Sequence, residues 1–473
     1  MWTRAVVMEA PDLLTLGNRR IFNNDSFRGD QLRICQTVLD DKEVFVVQHT
    51  GFGKSLTYQL PAVVSRGVTV VISPLVSLMH DQVQALKAKN ISALQYTSDM
   101  SDADRFCAID VIRRSRIQLL YVAPEALMGE GHLQKALAEL WHNSLLRRFV
   151  VDEAHCCSEF GHDFRPAYSR LGELKDTFPG VLFTAITGTA TERTKTDIKK
   201  ILRMKNPVEF FGTSRRANLI LNVEEKFWGE ETVNEIVVDS CWKQILAFVL
   251  DQPTTSTGII YCMTKKDTEK LANWLSQQKQ GGDSIKAAHY HGELNTAQRS
   301  QVYNAWMRGE TRIVVATTAF GMGVDKGDVR WIVHHSMPQS MEAYVQEVGR
   351  AGRDGAIAKC LMLFSAKTVQ VIRKNFQKDL VTKEARRRKL VEIEQFSQNV
   401  KQICRHRLLM EHFAEEGDTK LCNSMCDACC ESRSSAPQKS TRPRRASAGI
   451  AGKRAASSPP RADARRRRKS APA

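Results

Sequence analysis

The stretch "QHTGFGKSLTYQLP", residues 48–61, decides the fold. It follows the apolar run Val44, Phe45, Val46, Val47 and leads into residues of helical character, so the order is strand, glycine turn, helix. Glycines at 51 and 53 let the backbone approach a ligand closely, and the free N–H groups at a helix start favour anions. Lys54 can reach the outer phosphates of a nucleotide, and the Ser55 hydroxyl can ligate magnesium. Thr50, Gly51, Gly53, Lys54 and Ser55 are therefore candidate nucleotide-binding residues. An ordinary strand-to-helix turn tolerates glycines but has no need of Lys-Ser directly after them. One position departs from the full G-x-x-x-x-G-K-S pattern, Gln48 standing where the first glycine belongs.

Further apolar runs flank this one: "VTVVISP", "IQLLYVAP", "RFVVDEAH" and "VLFTAITGT", each followed by a turn and a mixed charged stretch. Such alternation predicts βα units around a parallel sheet buried on both faces. After about residue 215 the pattern restarts with "TGIIYCMT", "IKAAHYHG", "RIVVATTAFG", "RWIVHHSM" and "KCLMLFS", which predicts a second α/β domain in series. From about Lys367 the strands stop, and the apolar spacing up to Phe413 reads as helix.

"FVVDEAH" puts Asp152 and Glu153 at the C-terminal tip of a buried strand, where ligands of open α/β sheets gather. Asp152 can hold magnesium there, and Glu153 can orient or deprotonate the water that attacks the γ-phosphate. Phosphoryl transfer also needs positive charge, which Arg350 and Arg353 of "YVQEVGRAGRDG" offer. Three apart on a helix, they would share a face, and from the second domain they reach a nucleotide only across a cleft. Lys54, Asp152, Glu153, Arg350 and Arg353 are the candidate catalytic set, with ATP and Mg2+ as the implied substrate and cofactor.

The aromatic-rich loop at 158–166 interleaves Phe160, His162, Phe164 and Arg165, rings that can stack on unpaired bases beside a cation that can engage phosphate. Cys404, Cys422, Cys426 and Cys429 form two close groups suited to tetrahedral zinc, with Cys430 as the spare or the alternative fourth ligand. His406 and His412 read as surface helix residues, and Cys35, Cys107, Cys241, Cys262 and Cys360 as small apolar side chains.

Together these motifs resemble the RecQ family of superfamily 2 DNA helicases, from about residue 22 to residue 430. "FRGDQ" is similar to the family's adenine-reading segment, which implies Arg28 stacking on the base and Gln31 bonding its edge. "GFGKS" resembles motif I, "ISPLVSLMHDQV" motif Ia, "VAPEAL" the DNA-contacting segment after it, and "DEAHCCSEFGHDFRPAY" motif II with the RecQ aromatic loop. "TGTAT", "GIIYCMTKKDTEKL", "ATTAFGMGVDK" and "QEVGRAGRDG" resemble motifs III to VI, the last adding Gln346 to the nucleotide-contacting set. The form "CNSMCDACC" is similar to the type 1 branch. Departures are Glu159, Phe160 and Ala167 in the aromatic loop, His49 before the P-loop, Gly188 in motif III and Val348 in motif VI.

The resemblance implies two RecA-like parallel-sheet domains in tandem, at 21–215 and 216–366 behind an extension at 1–20. A helical zinc-binding module at 367–430 and a disordered basic tail at 431–473 follow. A winged-helix domain, usual in the family after the zinc module, is not visible. The expected activity is that of an ATP-dependent DNA helicase moving 3′ to 5′ on single-stranded DNA, in repair, recombination or replication. The alternative is a DNA-stimulated ATPase acting as a translocase, annealing or remodelling factor with little unwinding of its own. Expected partners are single-stranded and tailed or forked DNA and proteins of genome maintenance, without a membrane.

Composition fits these expectations. The chain has 473 residues, a net charge of +17 and 12 cysteines, five of them crowded between Cys404 and Cys430, a distribution that favours metal over disulfides. No apolar run reaches the roughly 20 residues needed to cross a bilayer. Residues 431–473 hold 13 Lys/Arg against 2 Asp/Glu and almost no large apolar side chains. Such a segment cannot bury enough surface to order itself. Its "RRRRK" at 465–469 reads as a nuclear localisation signal or a nucleic-acid arm, which makes the nucleus the expected location.

Overall fold

In the computed structural model the described residues are 10–434, apart from 98, 129–130, 160–163, 234–235, 322–323, 376–382 and 416–421. The first sheet has seven strands: β1 (Val44–Val47), β2 (Val68–Ile72), β3 (Ala93–Tyr96), β4 (Leu119–Val122), β5 (Leu146–Val151), β6 (Leu182–Thr187) and β7 (Val208–Phe211). All run parallel, in the order β3-β4-β2-β5-β6-β1-β7. Strands β1, β2 and β4 are buried at every residue, which is why their sequences are continuous Val, Ile, Leu and aromatic runs rather than alternating ones. The edge strands β3 and β7 are half-covered and mixed in composition, and the sequence pattern does not reveal them.

After β7 the chain crosses to the second sheet. Its elements are β8 (Leu219–Glu225), a hairpin of β9 (Glu230–Val233) and β10 (Ile236–Asp239), β11 (Thr257–Tyr261), a two-residue hairpin of β12 (Lys279–Gln280) and β13 (Asp283–Ser284), then β14 (Ala287–Tyr290), β15 (Ile313–Ala316), β16 (Val329–His334) and β17 (Ala358–Phe364). The six-stranded parallel sheet runs β14-β15-β11-β16-β17-β8. All five predicted runs are in it. The edge strand β8, whose burial alternates, and both hairpins come from the structure alone.

Sheet order positions the site. Strands β5, β6 and β1 are neighbours, with Val151 beside Ala185 and Val47 beside Thr187. Their C-terminal ends therefore present the DEAH segment, the "TGT" turn and the P-loop side by side.

The segment read as helix from Lys367 to Phe413 is three helices, Ala366–Asn375, Lys383–Gln398 and Arg405–His412. Asn399 and Gln402 take positive φ of 38° and 48° and end the second helix, a left-handed conformation no α-helix continues through. Leu390, Ile393, Phe396, Leu409 and Phe413 are buried in the same core as the second sheet. At about 1.5–3 kcal/mol per buried large apolar side chain, these helices are part of that core and not an appendage.

Candidate nucleotide site and metal centre

The P-loop turns as its glycines predict: Gly51 and Gly53 have φ of +92° and +85°, and helix Leu56–Val64 starts just after Ser55. Lys54 is drawn back over the loop, its Nζ donating to the carbonyls of Gln48 at 3.0 Å and His49 at 3.4 Å. Burial lowers its pKa, opposed by the charges of Glu153 and Asp152. Asp152 lies at the end of β5, its N–H donating to Ile72 O at 2.9 Å. Burial and the neighbouring Glu153 push its carboxyl up to about 7, against the pull of Lys54. Glu153 takes a left-handed conformation, φ 50° and ψ 47°, a strained arrangement for a non-glycine residue at a strand tip. Its carboxylate is 3.3 Å from His155 Nδ1, which lies 2.8 Å from Thr187 Oγ1 at the end of β6. A Cβ on Gly188 would come within 3.6 Å of Lys54 Nζ and 3.7 Å of Thr50 Oγ1, so motif III touches the P-loop.

Arg28 and Gln31 grip the loop from the other side. Arg28 Nη1 donates to Gly51 O, and Gln31 Nε2 donates to Phe52 O at 2.8 Å while its Oε1 accepts from Arg28 N. Their side chains thus brace the loop backbone.

The second domain supplies Arg350 and Arg353, but not on one helical face. Helix Met341–Val348, which carries Gln346, ends before them, and both lie in the turns beyond Gly349. Arg350 is buried and bonds Gly321 O within its own domain. Arg353 faces the cleft: a Cβ on Gly51 would lie 3.4 Å from its Cγ. Its Nη1 pairs with Asp325 at 2.6 Å, and its buried Nε has no hydrogen-bond partner. The described site thus brings the stem of a second-domain arginine, Arg353, against the P-loop turn that leads into Lys54.

Of the aromatic loop, Phe160 and His162 lie outside the described residues, and Phe164 is half-buried. Arg165 donates to Pro74 O in the motif Ia segment, and its N–H bonds Cys156 O at 3.1 Å.

Cys404, Cys422, Cys426 and Cys429 bring their sulfurs within 4.8 Å of one another. Four sulfurs this close suit a tetrahedral ion, since several thiolates together need a cation between them. Cys430 points elsewhere, toward Ser424 O at 3.0 Å. Arg405 holds the two halves together through a two-pronged ion pair with Asp427 at 2.6 and 2.7 Å.

Three family models match the chain: DEAD/DEAH box helicase over residues 28–198, helicase conserved C-terminal domain over 240–355, and RecQ zinc-binding over 365–430. The chain belongs to the RecQ-type superfamily 2 helicases. Relatives include the ATP-dependent DNA helicase hus2/rqh1 of Schizosaccharomyces pombe, 41% identical over 87% of this chain and 30% of its own length. The ATP-dependent DNA helicase Q1 of Mus musculus is 38% identical over 87% of this chain and 61% of its own. The RecQ-type chain thus spans less than two thirds of either relative. Among solved structures, the Mycobacterium smegmatis helicase Lhr bound to ssDNA and AMP-PNP superposes with a TM-score of 0.57 at 18% identity, covering 76% of this chain and 48% of its own. The DUF1998 helicase MrfA bound to DNA and AMPPNP gives 0.61 at 19%, covering 78% and 53%. Both share the fold.

Several residues of this RecQ-type chain have positions that sequence patterns do not announce. Tyr168, fully buried, donates its hydroxyl to Asp152 O at 3.1 Å and so ties the exit of the aromatic loop to the DEAH turn. Gln48 is explained by Gly212: a Cβ there would lie 2.0 Å from Gln48 Oε1, so the missing glycine of the loop pattern is matched by one at the end of β7. Arg216, in the inter-sheet crossing, donates to Thr50 O at 3.0 Å and to carbonyls of the motif VI turn. His406 and His412 are not surface residues. His406 is buried with Nε2 against Leu219 O and Met425 O, and His412 faces Glu342 and Glu392, because the one helix that carries both, Arg405–His412, packs into the second core. Cys107 is exposed, unlike the other four cysteines read as apolar filling.

Proposed function

We propose that this chain is an ATP-dependent DNA helicase that moves 3′ to 5′ along single-stranded DNA and acts in repair, recombination or replication in the nucleus. The observation that carries the proposal is Arg353 of the second domain lying against Gly51 of the P-loop, opposite Lys54, Asp152 and Glu153. Hydrolysis then depends on cleft closure, and repeated closure is what moves a motor. In this reading Lys54 neutralises the outer phosphates, Glu153 orients and deprotonates the attacking water, and Arg353 stabilises charge on the transferred group. Ser55 and Asp152 would hold magnesium, which when bound offsets phosphate charge. Arg28, Gln31, Thr50, Gly53 and Gln346 complete the nucleotide contacts, and Arg350 supports the motif VI turn. The aromatic loop with Phe160, His162, Phe164 and Arg165 would contact single-stranded DNA and signal through Tyr168 to Asp152. The four cysteines would bind zinc.

DNA is the proposed partner, with tailed or forked forms as substrates. The matched helicases Lhr and MrfA were solved with ssDNA and DNA, while the S. cerevisiae Dbp5, of the same fold, was bound to RNA. The test is strand separation of a 3′-tailed duplex, run beside ATPase stimulation by single-stranded DNA and by RNA at one stated salt concentration. Unwinding with DNA-selective stimulation is expected. Stimulation without unwinding would replace the helicase reading by a translocase, annealing or remodelling factor, and equal stimulation by RNA would overturn the choice of substrate.

A further inference from the structure

Arg216 lies in the crossing between β7 and β8, outside every motif that carries the chemistry. Its guanidinium is nevertheless used on both sides of the cleft. Nη1 donates to Thr50 O of the P-loop at 3.0 Å and to Gly349 O at 3.3 Å. Nη2 donates to Ala351 O at 3.1 Å and Gly352 O at 2.6 Å, and Nε to Asn218 Oδ1 at 3.3 Å. Asn218 continues the grip, its Nδ2 donating to Gly352 O and Ala356 O at 2.9 and 2.8 Å. A planar fork with fixed donor directions can hold several carbonyls in one relative arrangement, and a lysine cannot. The carbonyls held here belong to the P-loop and to the residues that immediately precede Arg353.

The same place concentrates positive charge. Arg216 Nη1 lies 3.5 Å and the Arg353 stem at Cγ 3.4 Å from where a Gly51 Cβ would stand, the Arg353 guanidinium itself pairing with Asp325, and Lys54 is three residues further along the chain from Gly51. Like charges gathered around one glycine favour an anion among them.

We propose that Arg216 is a positioning residue that locks the motif VI turn onto the P-loop, so that Arg353 stands at the nucleotide only while the cleft is closed. This rests on the reading of the site as an ATPase. Losing the lock leaves the nucleotide-binding residues of the first domain in place but removes the second domain's arginine from its post.

The experiment is steady-state ATP hydrolysis with saturating single-stranded DNA, together with binding of a fluorescent ATP analogue and thermal melting, on the full chain. Arg216→Ala is expected to lower kcat at least tenfold while analogue affinity stays within about twofold. Arg216→Lys, which keeps the charge but not the fork, is expected to be as slow. Combining Arg216→Ala with Arg353→Ala should give a kcat no lower than Arg353→Ala alone, because both changes remove the same contribution. A merely structural role would lower melting temperature and affinity together and would show multiplying losses in the double variant. That result, or a kcat for Arg216→Ala within twofold of the unmodified chain, overturns the proposal. If Arg216→Ala does not fold, Arg216→Lys is read by the same kcat criterion. Lys54→Ala separates this from the underlying reading: undiminished hydrolysis there refutes the ATPase site whatever Arg216 does.

Discussion

Gly53 shows how much chemistry a single position can specify. Its φ of +85° is open to glycine and strained for other residues, and a Cβ would stand 2.6 Å from Gln31 Nε2. Left-handed backbone costs a non-glycine residue about 1–2 kcal/mol, so Gly53→Ala is expected to weaken binding of a fluorescent ATP analogue by roughly tenfold. Unchanged affinity would mean that this loop does not hold the nucleotide. Lys54→Ala should abolish hydrolysis while binding of a labelled single strand persists, since the lysine touches only the P-loop side of the site. Both residues, with Asp152 and Glu153, were legible in the sequence because phosphate chemistry demands particular side chains at strand ends. Gln48 departs from the loop pattern and is matched by Gly212 packed against it, which no loop pattern announces, and Arg216 was invisible because an arginine beside another arginine in a connecting segment has no spacing to recognise it by.

At the scale of elements, the zinc-module residues do something no cysteine spacing predicts: they cover the open edge of the second sheet. Leu221 N–H of β8 donates to Met425 O at 3.0 Å, Val223 N–H to Asp427 Oδ2 at 3.1 Å, and Leu219 O lies 3.1 Å from His406 Nε2. An uncovered edge strand is a template for aggregation, so the module also protects the fold. Replacing Cys422 and Cys426 with serine should release zinc and speed hydrogen exchange at the Leu221 and Val223 amides. Two bonds, one to a backbone carbonyl and one to the Asp427 carboxylate, at about 1 kcal/mol each give roughly thirtyfold. P-loop amides should keep their rates, and equal acceleration in both places would mean that the module stabilises the whole chain instead. The same helices meet helix Met341–Val348 through Glu342, which His412 approaches at 3.6 Å, an ion-pair distance too long for a hydrogen bond. Burial pushes the Glu342 carboxyl up, but His412 and Lys389 outweigh it and leave it at about 2, with Glu392 also facing His412. A depressed carboxyl stabilises the fold fully above its ordinary value of 4.5 and loses that contribution as pH falls toward 2. Glu342→Gln should therefore melt a few degrees lower than the unmodified chain near pH 6.5, with the gap narrowing as pH drops below 4.5; a gap that holds constant to pH 3 would remove Glu342 from the account. The helical periodicity was legible here, but the break before Arg405 was not, because Asn399 and Gln402 turn the chain by backbone conformation and not by a proline or glycine.

For the whole molecule, legibility followed burial. Strands covered on both faces were recognised from their apolar runs, while β3, β7 and β8, at sheet edges, were missed because half-covered strands need no such runs; the half-buried edge strand β14 was read only because its stretch "IKAAHYHG" keeps enough apolar residues. The reading of the tail rests instead on what its composition lacks, and nearly all of it lies outside the described residues. Its 13 Lys/Arg against 2 Asp/Glu supply +11 of the net +17, leaving the first 430 residues at +6. If the tail grips nucleic acid, each phosphate it neutralises adds about 0.7 to the slope of log affinity against log salt on a single strand. A chain ending at Cys430 should then bind single-stranded DNA with a slope shallower by several units and lose most of its affinity advantage at low salt. Its kcat at saturating DNA should not change, because every residue assigned to hydrolysis lies before that point. Measuring the slope between 50 and 200 mM salt for both chains decides it: equal slopes would make the tail a solubilising or localising segment, and a fall in kcat would mean that its charge reaches the motor itself.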